Sequence, residues 1–225
     1  DIASGASLNY NTAITDSIVN VTGSGTLNKG GESDLTFVVA DNSVSSDFTA
    51  NANQGTLKVT GDSKDVFDFN MNVNNSATIE YTAAANSSIK IDENSKIKFG
   101  NDAQNAAVIF NGNAETASES NIIYDIAGDI ANNAGNKIVF NYATLNLSGS
   151  EYNAAYEINN SVIDLGNDKT EYKIFNNLTT DNSELRIDVD LTMPDPEADK
   201  LIANGGSGGA IKVALDQIKL KDKTT

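Results

Sequence analysis

Short runs in which apolar and polar residues alternate recur along the whole chain, each opened by a small polar residue and closed by Asn or Gly. They include Ser17-Ile18-Val19-Asn20-Val21, Gly55-Thr56-Leu57-Lys58-Val59, Asn75 to Tyr81, Ser88-Ile89-Lys90-Ile91 and Ser95-Lys96-Ile97-Lys98-Phe99. Ala143 to Leu147, Ser161 to Leu165 and Ser183 to Val189 continue the series. A period of two sends alternate side chains to opposite faces, so each run predicts a strand with one buried face, and Asn, Gly and Ser supply the turns. Leu57, Ile79, Ile97, Leu145, Ile163, Leu185 and Ile187 are the expected inward residues.

One strong apolar position per turn, taken as Leu57, Ile79, Ile97, Ile123, Leu145, Ile163 and Leu185, recurs at steps of 22, 18, 26, 22, 18 and 22 residues. A loose repeat near 21 residues made of short strands points to an all-β fold, a single-stranded right-handed parallel β-helix, or β-solenoid. In such a fold each coil buries its apolar face only against its neighbours. About ten coils, roughly 50 Å long at about 4.8 Å per strand, are expected. Continuous helix is hard to find: Thr82 to Asn86 and Ala114 to Ser120 are short and flanked by Asn and Ser, which favour turns. Gly30-Gly31 and Asn111 to Asn121 look like insertions between coils. The two prolines, Pro194 and Pro196, break strand pairing near the C-terminal end. Residues 1–191 are therefore expected to form coils, and 192–225 cap-like coils of the same domain that protect the last exposed edge.

Composition narrows the function classes. Apolar residues are 39% of the chain and mainly Ile, Val, Leu and Ala, with few aromatics, which suits a narrow core of stacked branched side chains. The sequence holds 31 Asn, a residue that tolerates left-handed backbone and can hydrogen-bond along stacked turns. There is no His and no Cys, which removes the commonest general base, the commonest transition-metal ligand and thiolate chemistry. A net charge of −16, with Arg186 the lone arginine, argues against nucleic acid and against anionic membrane surfaces as partners. No run is long and apolar enough for a membrane helix, so direct membrane insertion is not expected. The chain opens at Asp1 without a basic-then-apolar leader, so any export signal is expected outside this sequence.

The stretch from Asn160 to Leu215 carries a sharper pattern. It runs Asn160-Ser161-Val162-Ile163-Asp164-Leu165, Asn177-Leu178-Thr179 and Asn182 to Leu191, then a loop, Ala198-Asp199-Lys200-Leu201-Ile202, a Gly-rich turn over 204–209 and Ala210-Ile211-Lys212-Val213. This order resembles the C-terminal end of bacterial autotransporter passenger domains, the pertactin-like and self-associating adhesin-like β-helices. The resemblance implies an extracellular location on a bacterial cell surface and a non-enzymatic role as stalk or adhesin. It also implies partners among surface glycans, surface proteins or other copies of the chain. The family's outer-membrane barrel and the helical linker leading to it are not in this sequence.

Carboxylates are the remaining candidates for chemistry. Glu184, Arg186, Asp188 and Asp190 share one parity of a strand, opposite Leu185, Ile187, Val189 and Leu191, and are expected to project outward together. As a cluster they could clamp a sugar carboxylate in a polysaccharide lyase or glycosidase, or simply neutralise one another on a solvated face. No cofactor is indicated. Calcium is the one ion considered, through Gly61-Asp62, Gly100-Asn101-Asp102, Gly128-Asp129 and Gly166-Asn167-Asp168, none of which completes a calcium loop. The C-terminal end reverses the charge trend, with Lys212, Lys219, Lys221 and Lys223 against Asp216 and Asp222. Lysines on a terminal strand discourage edge pairing or meet an acidic surface of another copy, which would make the chain a fibre subunit.

Overall fold

The structure is a computed structural model that describes residues 1–225 except 12, 40–43, 62–68, 83–85, 87, 92–95, 113–121, 127–134, 167–168, 193–196, 210 and 220–225. Among the described residues there are strands, bridges and turns and no helix. Sheet one holds β1 (Ser7–Asn11), β3 (Thr26–Gly30), β5 (Thr49–Ala52), β7 (Asn70–Val73) and β10 (Ile97–Phe99). Sheet two holds β2 (Asp16–Ile18), β4 (Leu35–Val39), β6 (Thr56–Gly61), β8 (Thr78–Thr82), β11 (Ala107–Asn111), β13 (Lys137–Asn141), β15 (Glu151–Asn159), β17 (Tyr172–Asp181) and β20 (Lys200–Ala203). Sheet three holds β9 (Ser88–Ile91), β12 (Ile123–Ile126), β14 (Thr144–Leu147), β16 (Val162–Asp164) and β18 (Ser183–Asp190), with β19 (Glu197–Ala198) and β21 (Ile211–Lys219) both on β18.

Pairing is parallel throughout the described strands except where β19 runs antiparallel to β18. The chain passes from sheet one to sheet two, or from sheet two to sheet three, and returns, so each strand pairs with its counterpart one circuit later. Sheet two has nine strands among the described residues, against an expectation of about ten coils. Sheet one ends at β10 while sheet three begins at β9, so the structure changes which side accompanies sheet two midway along the stack.

The core is built from columns of in-register inward side chains. In sheet two Leu35, Leu57, Ile79, Val108, Ile138 and Tyr156 stack strand on strand. Beside them run Phe37, Val59, Tyr81, Phe110, Phe140 and Ile158. Ile89, Tyr124, Leu145, Ile163 and Leu185 form the matching column of sheet three. Leu57, Ile79, Ile97, Leu145 and Ile163 are fully buried, while Leu185 and Ile187 are partly buried against the core because they lie on the last complete turn. Burial of each such side chain contributes about 1.5–3 kcal/mol.

Four features depart from the sequence expectation. Ile123 pairs with Thr144, and it is Tyr124 that faces Leu145 from the core, so the marker at 123 is one residue out of phase. Ile97 is in register with Met71 in sheet one, not with Ile79, because the alternation that identifies a strand is blind to which sheet the strand joins. Gly30-Gly31 is no insertion between coils: it is the corner between β3 and β4, with Gly31 at φ 79°. The core is also more aromatic than branched residues alone would make it. Phe37, Phe48 and Phe69 pack ring on ring with centroids 5.7 to 5.8 Å apart, Phe110 stacks on Phe140 at 5.0 Å, and Tyr152 stacks on Phe175 at 4.6 Å. Tyrosine hydroxyls reach corner carbonyls, Tyr124 donating to Asn111 at 3.0 Å and Tyr152 to Ile126 at 2.9 Å. Ala83 to Ala85 and residues 113–121, expected as loops or insertions, lie outside the described residues.

Candidate functional site

The sequence-selected cluster on β18 does not stay together. Arg186 donates through Nε to Glu184 at 3.0 Å and approaches Asp164 of the preceding turn at 3.6 Å, while Lys212 of β21 bonds the other oxygen of Glu184 at 2.8 Å. Lys212 and then Arg186 hold the Glu184 carboxyl below the ordinary glutamate range, and Glu184 in turn raises Arg186. Asp188, expected outward, is only 3% exposed. The shift of register beside it leaves the extra residue, Asp216, on β21, so β18 keeps its parity. Asp188 is covered because the segment carrying β19 and Asp199 folds back on this end of β18, exchanging hydrogen bonds with its backbone. Asp190 faces solvent only in part and accepts from the backbone N–H and hydroxyl of Thr192, capping a turn. The four residues thus divide into an ion-pair network, a buried acid and a turn cap.

Asp199 is the residue whose part in this region sequence reasoning missed, although the Ala-Asp-Lys-Leu segment marked its place. Its carboxylate, 5% exposed, accepts from the backbone N–H of Glu171 at 2.7 Å and of Asp188 at 2.6 Å. It thereby ties the start of β20 to the edges of β17 and β18. Burial raises its pKa, the two N–H bonds pull it back, and the carboxylates of Asp188 and Glu171 add to the rise. Lys173, itself buried, sits alongside with Nζ 2.7 Å from Glu171 and donates to the Gly149 carbonyl at 2.9 Å. The whole arrangement reads as a clamp on the last turns.

Among the described residues, the longest ladder of Asn side chains lies on sheet one. Asn9, Asn28, Asn51 and Asn72 occupy one outward rank in register, and from Asn28 onward each Nδ2 donates to the Oδ1 of the preceding strand, at 2.8, 2.8 and 2.9 Å. A second rank, Ser7, Thr26, Thr49 and Asn70, runs beside it two residues away on the same strands. On the other flank Asn74 donates to Asn53 at 2.8 Å. Gly30 makes room here for the Asn11 amide folded over it, whose Oδ1 would lie 2.0 Å from a Cβ and would have to move aside. These ranks carry no charged side chain on the first four strands; beyond Asn70 and Asn72 they end in Lys96 and Lys98, and Lys96 reaches back along the flank to donate to the Ser46 carbonyl at 3.3 Å. A groove of about 560 Å³ follows the flank, lined by Asn9, Asn11, Asn28, Asn53, Gln54 and Asn75 among others, with Glu32 the one acid among the described residues that line it.

Shorter amide ladders recur elsewhere, through Asn111, Asn141 and Asn159 on sheet two and Asn160 with Asn182 at a corner. Corner Asn residues also take left-handed backbone, among them Asn75, Asn105, Asn160 and Asn182. Of the segments considered for calcium, Asp62, Gly128-Asp129 and Asn167-Asp168 lie outside the described residues, and Gly100 makes room for the Asn74 amide. Among the described residues no three acidic side chains converge as a metal site. Nor is any helix among them long and apolar enough to cross a membrane. Comparison with known proteins finds no family model, curated protein or solved structure that matches this chain.

Proposed function

We propose that the chain is a single-stranded right-handed parallel β-helix of the autotransporter-passenger kind and serves as a non-enzymatic stalk or adhesin at a bacterial surface. The observation that carries this reading is the uncharged face of hydrogen-bonded Asn and hydroxyl ranks on sheet one, repeated strand after strand in a strongly acidic protein. Identical weak polar contacts at about 4.8 Å intervals along one axis act together on an extended partner, and affinity then comes from their number. Self-association through such faces belongs to the same reading. The last turns, held by Asp199 and the Glu184–Lys212 pair, act as the stabilising end of the stalk.

Beads coated with the protein at graded density and placed on epithelial and bacterial cell layers test the proposal. Retention should rise more steeply than linearly with density, as multivalent attachment requires. Retention no greater than that of albumin-coated beads at every density would overturn it.

A further inference from the structure

We infer that the sheet-one face binds an uncharged, hydroxyl-rich polysaccharide chain lying along the stack, parallel to the Asn9–Asn72 ladder. This rests on the surface-binding reading above and adds the face and the chemical class of its partner. An Asn amide has two N–H donors and a carbonyl oxygen with two lone pairs, and the ladder bonds use one donor and one lone pair at each inner rung. Each rung therefore keeps a donor and an acceptor for the solvent side. The neighbouring Ser7–Thr26–Thr49 rank adds groups that both donate and accept. Sugar hydroxyls, which also do both, are the complement to such an array, whereas a carboxylate or sulfate only accepts and an ammonium only donates.

Charge selects among glycans. The protein carries a net −16, so a polyanionic chain is repelled at long range, while on the first four strands the ranks themselves carry no cation, and of the two lysines that follow, Lys96 is engaged by the Ser46 carbonyl. The groove beside the ladder, about 560 Å³ and bounded by amides, gives the chain a wall to lie against. No aromatic ring among the described residues lines it, so recognition proceeds by hydrogen bonds and not by ring stacking. The ranks stand about 4.8 Å apart along the stack and about 6.6 Å apart across a strand, which makes an elongated ligand touch several rungs at once.

The test is calorimetric titration with cellohexaose, maltohexaose, mannohexaose and chitohexaose, with a heparin hexasaccharide as the anionic comparison. At least one neutral oligosaccharide should bind, more tightly than its trisaccharide, with an affinity that added sodium chloride leaves unchanged. Thr49→Lys places a long charged side chain on the face without replacing a rung of the Asn ladder, and Asn9→Lys replaces the terminal rung, on the outermost strand. Each should weaken binding by about tenfold or more, equivalent to about 1.4 kcal/mol, at an unchanged thermal midpoint. Asn146→Lys, on exposed sheet three between Asp125 and Asp164, should leave binding unchanged. Tighter binding of heparin, or neutral binding indifferent to both face variants, would overturn the inference while leaving surface attachment standing. A dimer in light scattering that Thr49→Lys abolishes would make the occupant a second copy and also overturn it. Failure of the wild type on every oligosaccharide together with failure of the bead assay would remove the surface-binding reading itself.

Discussion

At the level of single residues, parity was legible and chemistry only partly so. Alternation correctly faces Leu57 and Ile79 inward, and it applies equally to Lys29, two residues after Leu27 on β3. Lys29 is fully buried, and its ammonium donates to the Gly31 and Gln54 carbonyls at the corner between sheets one and two. Burial lowers its pKa, against the pull of Asp34 and Glu32. Gly55 is tied to the same site, because a Cβ there would meet the Glu32 carbonyl at 2.4 Å and the Lys29 Nζ at 2.7 Å at a φ of 58°. A lysine at an inward position reads from sequence as a phase error, because only the folded corner supplies the carbonyls that justify it. Lys29→Met keeps the volume and leaves two corner carbonyls without their ammonium donor, so chemical denaturation should show a loss of about 1–3 kcal/mol. An unchanged or raised midpoint would mean that desolvating the ammonium costs as much as its hydrogen bonds return.

At the level of elements, strands were legible and their partners were not. Period two finds β6, β8, β14 and β18 but assigns none of them to a sheet, and partners in the parallel strand pairs are separated by as few as 18 residues (Lys137 to Ala155) and as many as 35 (Ser88 to Ile123). Loops absorb the difference at small entropic cost, so spacing carries little information. The final elements β19, β20 and β21 show what holds an end together. Asp199, between β19 and β20, ties them to β17 and β18 by accepting two backbone N–H bonds, which an Asn side chain cannot reproduce because its amide nitrogen would oppose one of the donors. Asp199→Asn should therefore cost about 1–3 kcal/mol. Its pH dependence has a definite sign. The folded pKa is raised, by burial first and then by the carboxylates of Asp188 and Glu171, with Lys173 and Lys200 the nearby cations. The contribution of Asp199 is thus fully present below its unfolded pKa and declines as pH rises through the folded one. The stability gap between wild type and variant should be widest below about pH 4 and narrow as pH rises from there in urea titrations. A gap that widens with pH would show that the N–H bonds outweigh burial. Glu184 has the opposite sign: Lys212 and Arg186 lower its pKa, so what it contributes is lost as pH falls through the folded value.

At the scale of the whole molecule, a stack in which each circuit touches only the circuits before and after it is modular. The all-β class and the parallel repeat were visible in the sequence, whereas the change from sheet one to sheet three was not, since both sides use the same alternating pattern. Modularity makes a direct prediction. Lys137 is in register with Ala155 in sheet two, and Thr144 with Val162 in sheet three, so both partners lie 18 residues on. Deleting residues 137–154 should bring β15 onto β11 and β16 onto β12, place Tyr156 against Val108, and continue the Asn111 ladder through Asn159. The deletion also removes Tyr152 from its stack on Phe175, a cavity worth about 3–5 kcal/mol. The shortened protein should still give a β-rich far-ultraviolet spectrum and one cooperative, lower transition. Deleting only residues 137–145 removes half a circuit, sets β12 against strands of the wrong sheet and should yield an unfolded or aggregated chain. If both deletions fold equally well, or neither folds, register between successive circuits is not what specifies this structure.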